Sequence, residues 1–246
     1  VGWEMCIRAR RHHSSKLFAI RGATPPSRNG LSHANKTREA DMMEALFWKM
    51  LEQLQNRFPG FGPAGRYKGL PRRFKKAVYS IDSSTIALVA NCMDWAKHRR
   101  RKAAAKLHLR LNLQTFLPSF AVIEEGSHHD SSRMIALCAG LQPGEIAIFD
   151  KAYVHFEHLF SLTKLGVFWV TRAKDNMQCH VCKKRKVAGN ILRDDEITLK
   201  TKKSKGHYPK RMRRIVALVE VDGKSVQMVF ITNNMDWAPS SVCDLY

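Results

Sequence analysis

"YSIDSSTIALV", residues 79–89, reads as a buried β-strand, because Val78, Tyr79, Ile81, Ile86, Leu88 and Val89 are all apolar. Asp82 interrupts the pattern. An ionised carboxylate with no partner is costly to desolvate, so this acid must either be held by something or hold something. A second short apolar run, "EIAIFD" (145–150), reads as a strand that also ends in an acid, Asp150.

The segments around these two runs supply a sheet. "KLHLRLNL" (106–113) alternates perfectly. Leu107, Leu109, Leu111 and Leu113 point to one side, and Lys106, His108, Arg110 and Asn112 to the other, the mark of a half-buried strand. "FLPSFAVIEEG" follows as a third strand, and Pro118 puts it at a sheet edge. "HDSSRMIALCAGL" is helical, with Asp130 or Ser131 as N-cap. "VHFEHLFSLTKLG" is a second helix, closed by Gly166, and "VFWVTRAK" (167–174) is a further strand. Three strands in succession, then helix, strand, helix, strand, give an α/β fold with a mixed sheet and helices on its faces. In that layout the first and fourth strands are parallel neighbours ~4.8 Å apart, and Asp82 and Asp150 point into one site. Carboxylates that close repel each other, and a shared divalent cation resolves the repulsion.

Before the first strand, residues 1–35 read as basic loop and short helix. Residues 38–57 have a helical period, with Met43, Leu46, Phe47, Met50, Leu51 and Leu54 on one face, and "RFPGFGPAG" (57–65) ends it. "KHRRRKAAAK" (97–106) reads as a solvated basic connection. From 175 to 233 the helical period fades. "EITLKT", "IVALVEV" and "VQMVFIT" are strand-like, "VDGK" is a hairpin turn, and basic runs lie between them. This segment is expected to be a β-rich basic insertion outside the core sheet. The chain divides accordingly into 1–65 (basic, partly helical), 66–174 (core), 175–233 (insertion) and 234–246 (a return to the core).

The 246 residues carry 42 Lys and Arg against 21 Asp and Glu, a net charge of +21. The excess runs along the whole chain and points to a polyanionic partner, nucleic acid first. No stretch approaches the ~18 apolar residues that span a bilayer, so a membrane partner is not expected. The six cysteines are scattered and suit a reducing compartment rather than a disulfide scaffold. Cys179-His180-x-Cys182 is at most half of a zinc site with His207 as a distant aid, so zinc is disfavoured. His128-His129-Asp130 reads as a capped helix start with solvent histidines. Glu124 and Glu125 read as solvated acids, and Trp48 with Met43, Met50 and Leu54 as helix packing.

"IDSSTI", "AAAKLHLRLNL", "IFDKAY", "HFEHLFSLTKLGVFWVTRAK", "VFITNN" and "VCDLY" stand in the order found in DDE transposases of bacterial insertion sequences, and the chain resembles their insertion-sequence-four group over residues 15–246. "PPSRNGLSHANKTR" resembles the segment before the catalytic domain in that group. The resemblance implies an RNase H-like core with a β-strand insertion, and DNA cleavage and strand transfer with Mg²⁺, Mn²⁺ being the alternative ion. It implies double-stranded DNA as partner, both element ends and target, and a bacterial cytoplasmic, nucleoid-associated setting; an oligomer on that DNA is compatible with it, and the sequence leaves the oligomeric state open. Carried over, Asp82 in "DSST" and Asp150 in "DKAY" are the first two catalytic acids and metal ligands. Lys151 and Ala152 depart from the family's Arg and Gly, and Tyr153 is retained. Lys106, Arg172, Lys174, Lys210, Arg211, Arg213 and Arg214 are the DNA-binding candidates. The third acid belongs to a motif of Tyr, two residues, Arg, three residues, Glu, six residues, Lys. Tyr246 fits its first position, and the sequence stops there. The expectation is an incomplete copy, inactive alone; the alternative is a non-catalytic basic DNA-binding remnant.

Overall fold

The computed structural model describes residues 14–19, 27–58, 73–88, 97–98, 102–125 and 130–246. The chain forms two compact units, Val1–Phe61 and Gly62–Tyr246. The first holds α1 (Ser14–Ala19), α2 (Arg28–Thr37) and α3 (Ala40–Arg57). Ser27 caps α2, its hydroxyl accepting from Gly30 N–H at 3.0 Å. The expected apolar stripe on α3 exists, but Met43, Leu46, Phe47 and Met50 are exposed. Trp48 packs edge-on against Phe47 and donates from Nε1 to Glu44 Oε1 at 3.3 Å. Most of the Pro/Gly run after α3 lies outside the described residues.

The second unit is built on one ten-stranded mixed sheet. Its first half comprises β1 (Val78–Leu88), β2 (Lys97–His98), β3 (Lys102–Asn112) and β4 (Leu117–Glu125). There follow α4 (Asp130–Leu137), β5 (Ile146–Phe149), a 3₁₀ turn at Lys151–Tyr153, α5 (Phe156–Lys164) and β6 (Phe168–Arg172). β3 pairs antiparallel with β1, and β2 and β4 pair with the other side of β3. β1 pairs parallel with β5, and β5 parallel with β6. The first and fourth long strands are therefore parallel neighbours, as the order of elements demands. β5 is buried at all four positions because both faces of the sheet are covered around it. On one face Met134 and Leu137 of α4 and Leu159 and Leu162 of α5 pack on Ile81, Ala147, Phe149 and Trp169. On the other, Val242 and Leu245 of the last helix, α7 (Pro239–Leu245), pack with Val78, Ile146, Ile148 and Val170. Gly166 ends α5 at φ +74°, a conformation that L side chains rarely adopt, and a Cβ there would also meet Pro143 at 3.3 Å.

Three expectations need correction. The 97–106 run is not wholly a solvated connection: β3 reaches back to Lys102, and Ala104 and Ala105 are buried. The two faces of β3 also do not differ in depth as the alternation suggests: Lys106, Arg110 and Asn112 are half-buried like the leucines. His108 is fully buried while Leu107, Leu109 and Leu111 are half-buried, because α4 covers the polar-looking face. Finally, the 175–233 segment does not stand outside the sheet. It comprises β7 (Cys179–Lys184), β8 (Ile191–Leu199), α6 (Lys202–His207), β9 (Met212–Val221) and β10 (Lys224–Thr232). β10 pairs antiparallel with β6, and β9, β8 and β7 follow in turn, so the sheet continues without a break. An edge strand such as β6 presents unpaired backbone groups, and the insertion satisfies them. The β9–β10 hairpin turns at Asp222 and Gly223, both at positive φ, as "VDGK" requires. β7 and α6 had been hidden inside basic runs.

Candidate active site

The register of β1 on β5 pairs Val78 with Ile146, Ser80 with Ile148 and Ile81 with Phe149. One position further stand Asp82 and Asp150. Side chains alternate along strands, so both acids share the face of Val78, Ile146 and Ile148, the face that α7 covers. Asp82 is not buried as its setting suggests but exposed, because β5 ends at Phe149 while β1 runs on to Leu88. Its Oδ1 accepts from Ser83 N–H at 2.7 Å.

Asp150 is the more constrained acid. It caps the 3₁₀ turn, Oδ1 accepting from Ala152 N–H at 2.9 Å, and its Oδ2 accepts from Tyr246 O–H at 3.0 Å. Burial pushes its pKa up. Hydrogen bonds from the Ala152 amide, the Tyr246 hydroxyl and the Lys151 amide, with the charge of Arg172, outweigh burial and hold it below the usual carboxylate range. The same contact acts in reverse on Tyr246, whose phenol is pushed up to about 12 by burial and then by Asp150.

Basic side chains flank Asp150. Lys151 Nζ lies 2.9 Å from Asp175 Oδ2, and Lys151, Lys174, Asp175 and Asn176 line an open depression beside Asp150. Arg172 and Lys174 thus stand near Asp150. Lys106 stands half-buried on β3, opposite Thr85 and Glu124. Lys210 and Arg211 are exposed but belong to the other end of the sheet: Arg172 is level with Phe230 and Ile215, and β9 runs from Arg211 toward that level. Arg213, 1% exposed, is not a surface residue at all. Its guanidinium forms a two-point pair with Asp194 at 2.6 and 2.7 Å and donates to Trp237 O. Arg214 pairs with Asp195 at 2.6 Å. These two arginines join β9 to β8 instead of projecting toward a partner.

A buried polar chain behind the site escaped sequence reasoning. His108 Nε2 is 2.9 Å from Glu124 Oε1, His108 Nδ1 is 3.1 Å from the Tyr153 hydroxyl, and Arg133 pairs with the outer oxygen of Glu124. Glu124 is therefore no solvated acid. The chain ties β3 and β4 to the 3₁₀ turn that carries Tyr153, three residues after Asp150. The sequence alone does not give the register of β3 on β1 that sets His108 opposite Ser83, next to Asp82. His128 and His129 lie outside the described residues. Among the described residues no three His, Cys, Asp or Glu side chains converge, and Cys179 accepts instead from Arg214 Nη1 at 3.3 Å.

A mixed α/β sheet with one acid within a strand and a second just past the end of its parallel neighbour describes a class of proteins. Residues 73–246 match the Transposase DDE domain, and the chain belongs to that family. It is 25% identical over 178 residues to a protein named as a transposase for insertion sequence element IS5377 of Geobacillus stearothermophilus, covering 71% of this chain and 45% of that one. It is 24% identical over 188 residues to the transposase-named protein y4zB of Sinorhizobium fredii, covering 74% and 51%. The chain thus spans about half the length of these curated relatives. A solved structure, endonuclease V of Bacillus subtilis, aligns with 82% of this chain and 81% of its own at 11% identity, with a TM-score of 0.31, below the level of a shared fold. No helix among the described residues is long and apolar enough to cross a membrane.

Proposed function

We propose that this chain is part of a DNA transposase of a bacterial insertion sequence, of the insertion-sequence-four group, with an RNase H-like core in which Asp82 and Asp150 hold Mg²⁺ or Mn²⁺. The observation that carries the reading is the register of β1 on β5: its last pair is Ile81 and Phe149, and Asp82 and Asp150 are the next residue on each strand. The order β4-β3-β1-β5-β6 supports the fold assignment. The donor set fits the ion: hard divalent cations take carboxylate oxygens and keep several waters, so few protein ligands suffice. Asp150 accepts from the Ala152 and Lys151 amides and from the Tyr246 hydroxyl, and two carboxylate oxygens offer about four acceptor positions, so one is left for a cation. When bound, the metal supplies charge for activating a water or a 3′-hydroxyl against a phosphodiester.

The chain's own residues supply the rest. The low pKa of Asp150 keeps it ionised and ready to bind. Tyr246 orients its Oδ2. Arg172 and Lys174 place positive charge where DNA phosphates approach, in keeping with the net charge of +21. The setting that follows is the bacterial cytoplasm, on DNA.

Two measurements test this reading. Mn²⁺ added to the isotope-labelled chain is expected to broaden amide signals near residues 82 and 150, and Asp82→Ala or Asp150→Ala to abolish the effect. Duplex DNA is expected to bind with little sequence preference. Broadening elsewhere only, together with no DNA binding, would overturn the proposal. DNA binding with no metal effect would favour a basic DNA-binding remnant. In a chain extended through a family-like Tyr-Arg-Glu-Lys helix, cleavage of element ends is expected to depend on metal and to vanish with Asp82→Ala.

A further inference from the structure

Asp175 and Asn176 form the turn after β6, closed by Met177 N–H donating to Lys174 O at 3.0 Å. The turn walls one side of a depression of about 360 Å³, lined by Asp150, Lys151, Ala152, Lys174, Asp175 and Asn176. Asp175 is 88% exposed, yet its carboxylate rests on Lys151 Nζ, the cation next in sequence to the second acid. An ion pair this exposed is weak and readily exchanged. A phosphodiester carries the same single charge and presents the same kind of oxygen acceptors. Lys174 and the Asn176 amide supply further donors on the same rim. Arg172 is already engaged with Asp150 and Tyr246.

We infer that Asp175 stands in for a DNA phosphate. The depression binds one backbone phosphodiester through Lys151, Lys174 and Asn176, and Asp175 must leave Lys151 for that phosphate to enter. The inference rests on the reading of DNA as the substrate and adds to it a named phosphate site with an internal competitor. Asp175 thereby lowers affinity for any DNA that does not fill the depression.

The test is fluorescence anisotropy of a short labelled duplex, with a chelator present, over a series of salt concentrations. Asp175→Asn is expected to tighten binding about threefold, the size of effect typical of one exposed charge pair. Its salt dependence is expected to steepen, because no displaced carboxylate then gathers a cation. Lys151→Gln is expected to weaken binding, and its slope of log K against log salt is expected to be about 0.9 shallower than that of Asp175→Asn, one phosphate contact. Lys151→Gln/Asp175→Asn is expected to match Lys151→Gln, since Asp175 acts only through Lys151. Asp222→Asn, on the exposed β9–β10 hairpin, removes the same charge away from the depression and serves as control. If Asp175→Asn changes affinity no more than the control, or keeps its effect without Lys151, the phosphate site is wrong while DNA binding stands. If the parent chain binds no duplex at all, both readings fail.

Discussion

Asp150 is set by its neighbours more than by its own chemistry. Tyr246→Phe removes the O–H donor at 3.0 Å while leaving the ring against Phe230. The Asp150 carboxyl is then expected to titrate at higher pH than in the parent, as read from its side-chain carbon shift by NMR; an unchanged midpoint would show that Tyr246 does not hold it. The sign for stability follows. A carboxyl whose folded pKa is depressed contributes stability at pH above its unfolded value and loses it as pH falls through the folded value. Tyr246→Phe should therefore flatten the acid limb of the stability curve. Tyr153→Phe is expected to cost about 1 kcal/mol in urea unfolding by removing one buried partner of His108. The two acids were legible in the sequence because each breaks or ends an apolar run. His108 and Glu124 were not, because alternation reveals two faces without telling which one a helix will cover.

The strands added after β6 obey the same distinction between pattern and environment. The β9–β10 hairpin was readable from "VDGK", since a two-residue turn with both residues at positive φ selects Asp-Gly. Gly223→Val, at φ +72°, is expected to cost more than ~1 kcal/mol in chemical unfolding, with no effect on metal-induced broadening at residues 82 and 150. The arginines of β9 were misread, because a basic run gives no sign that Asp194 and Asp195 will face it from β8. Arg213→Met is expected to destabilise by ~3–5 kcal/mol, because it strands a buried carboxylate. Adding Asp194→Leu to it should recover most of that loss, since paired apolar replacements leave no orphan charge. A double variant as unstable as the single one would mean that the contact of Arg213 with Trp237 O, not the ion pair, is what matters.

At the scale of the whole molecule, the continuous sheet changes what the insertion is for. Arg213 donates to Trp237 O, Arg185 donates to Met235 O, and Asn233 ties the end of β10 to Trp169 and Val167. These contacts fix the segment that leads into α7, and α7 in turn brings Tyr246 to Asp150. Deleting residues 175–233 is therefore expected to expose the edge of β6 and release α7. The shortened chain should aggregate or lose its cooperative thermal transition rather than merely bind DNA less well; a soluble, cooperatively melting deletion would contradict this. Tyr246 and Asp150 are 96 positions apart in sequence. Contacts of such span form late, because the loop between them must close first. On the ribosome the second acid emerges long before the hydroxyl that orients it, and every strand from β7 to β10 has to find its place in between. On the proposed reading, a nascent chain that has exposed both acids and much of its positive charge meets DNA before Tyr246 reaches Asp150, so binding precedes any chemistry at the acids.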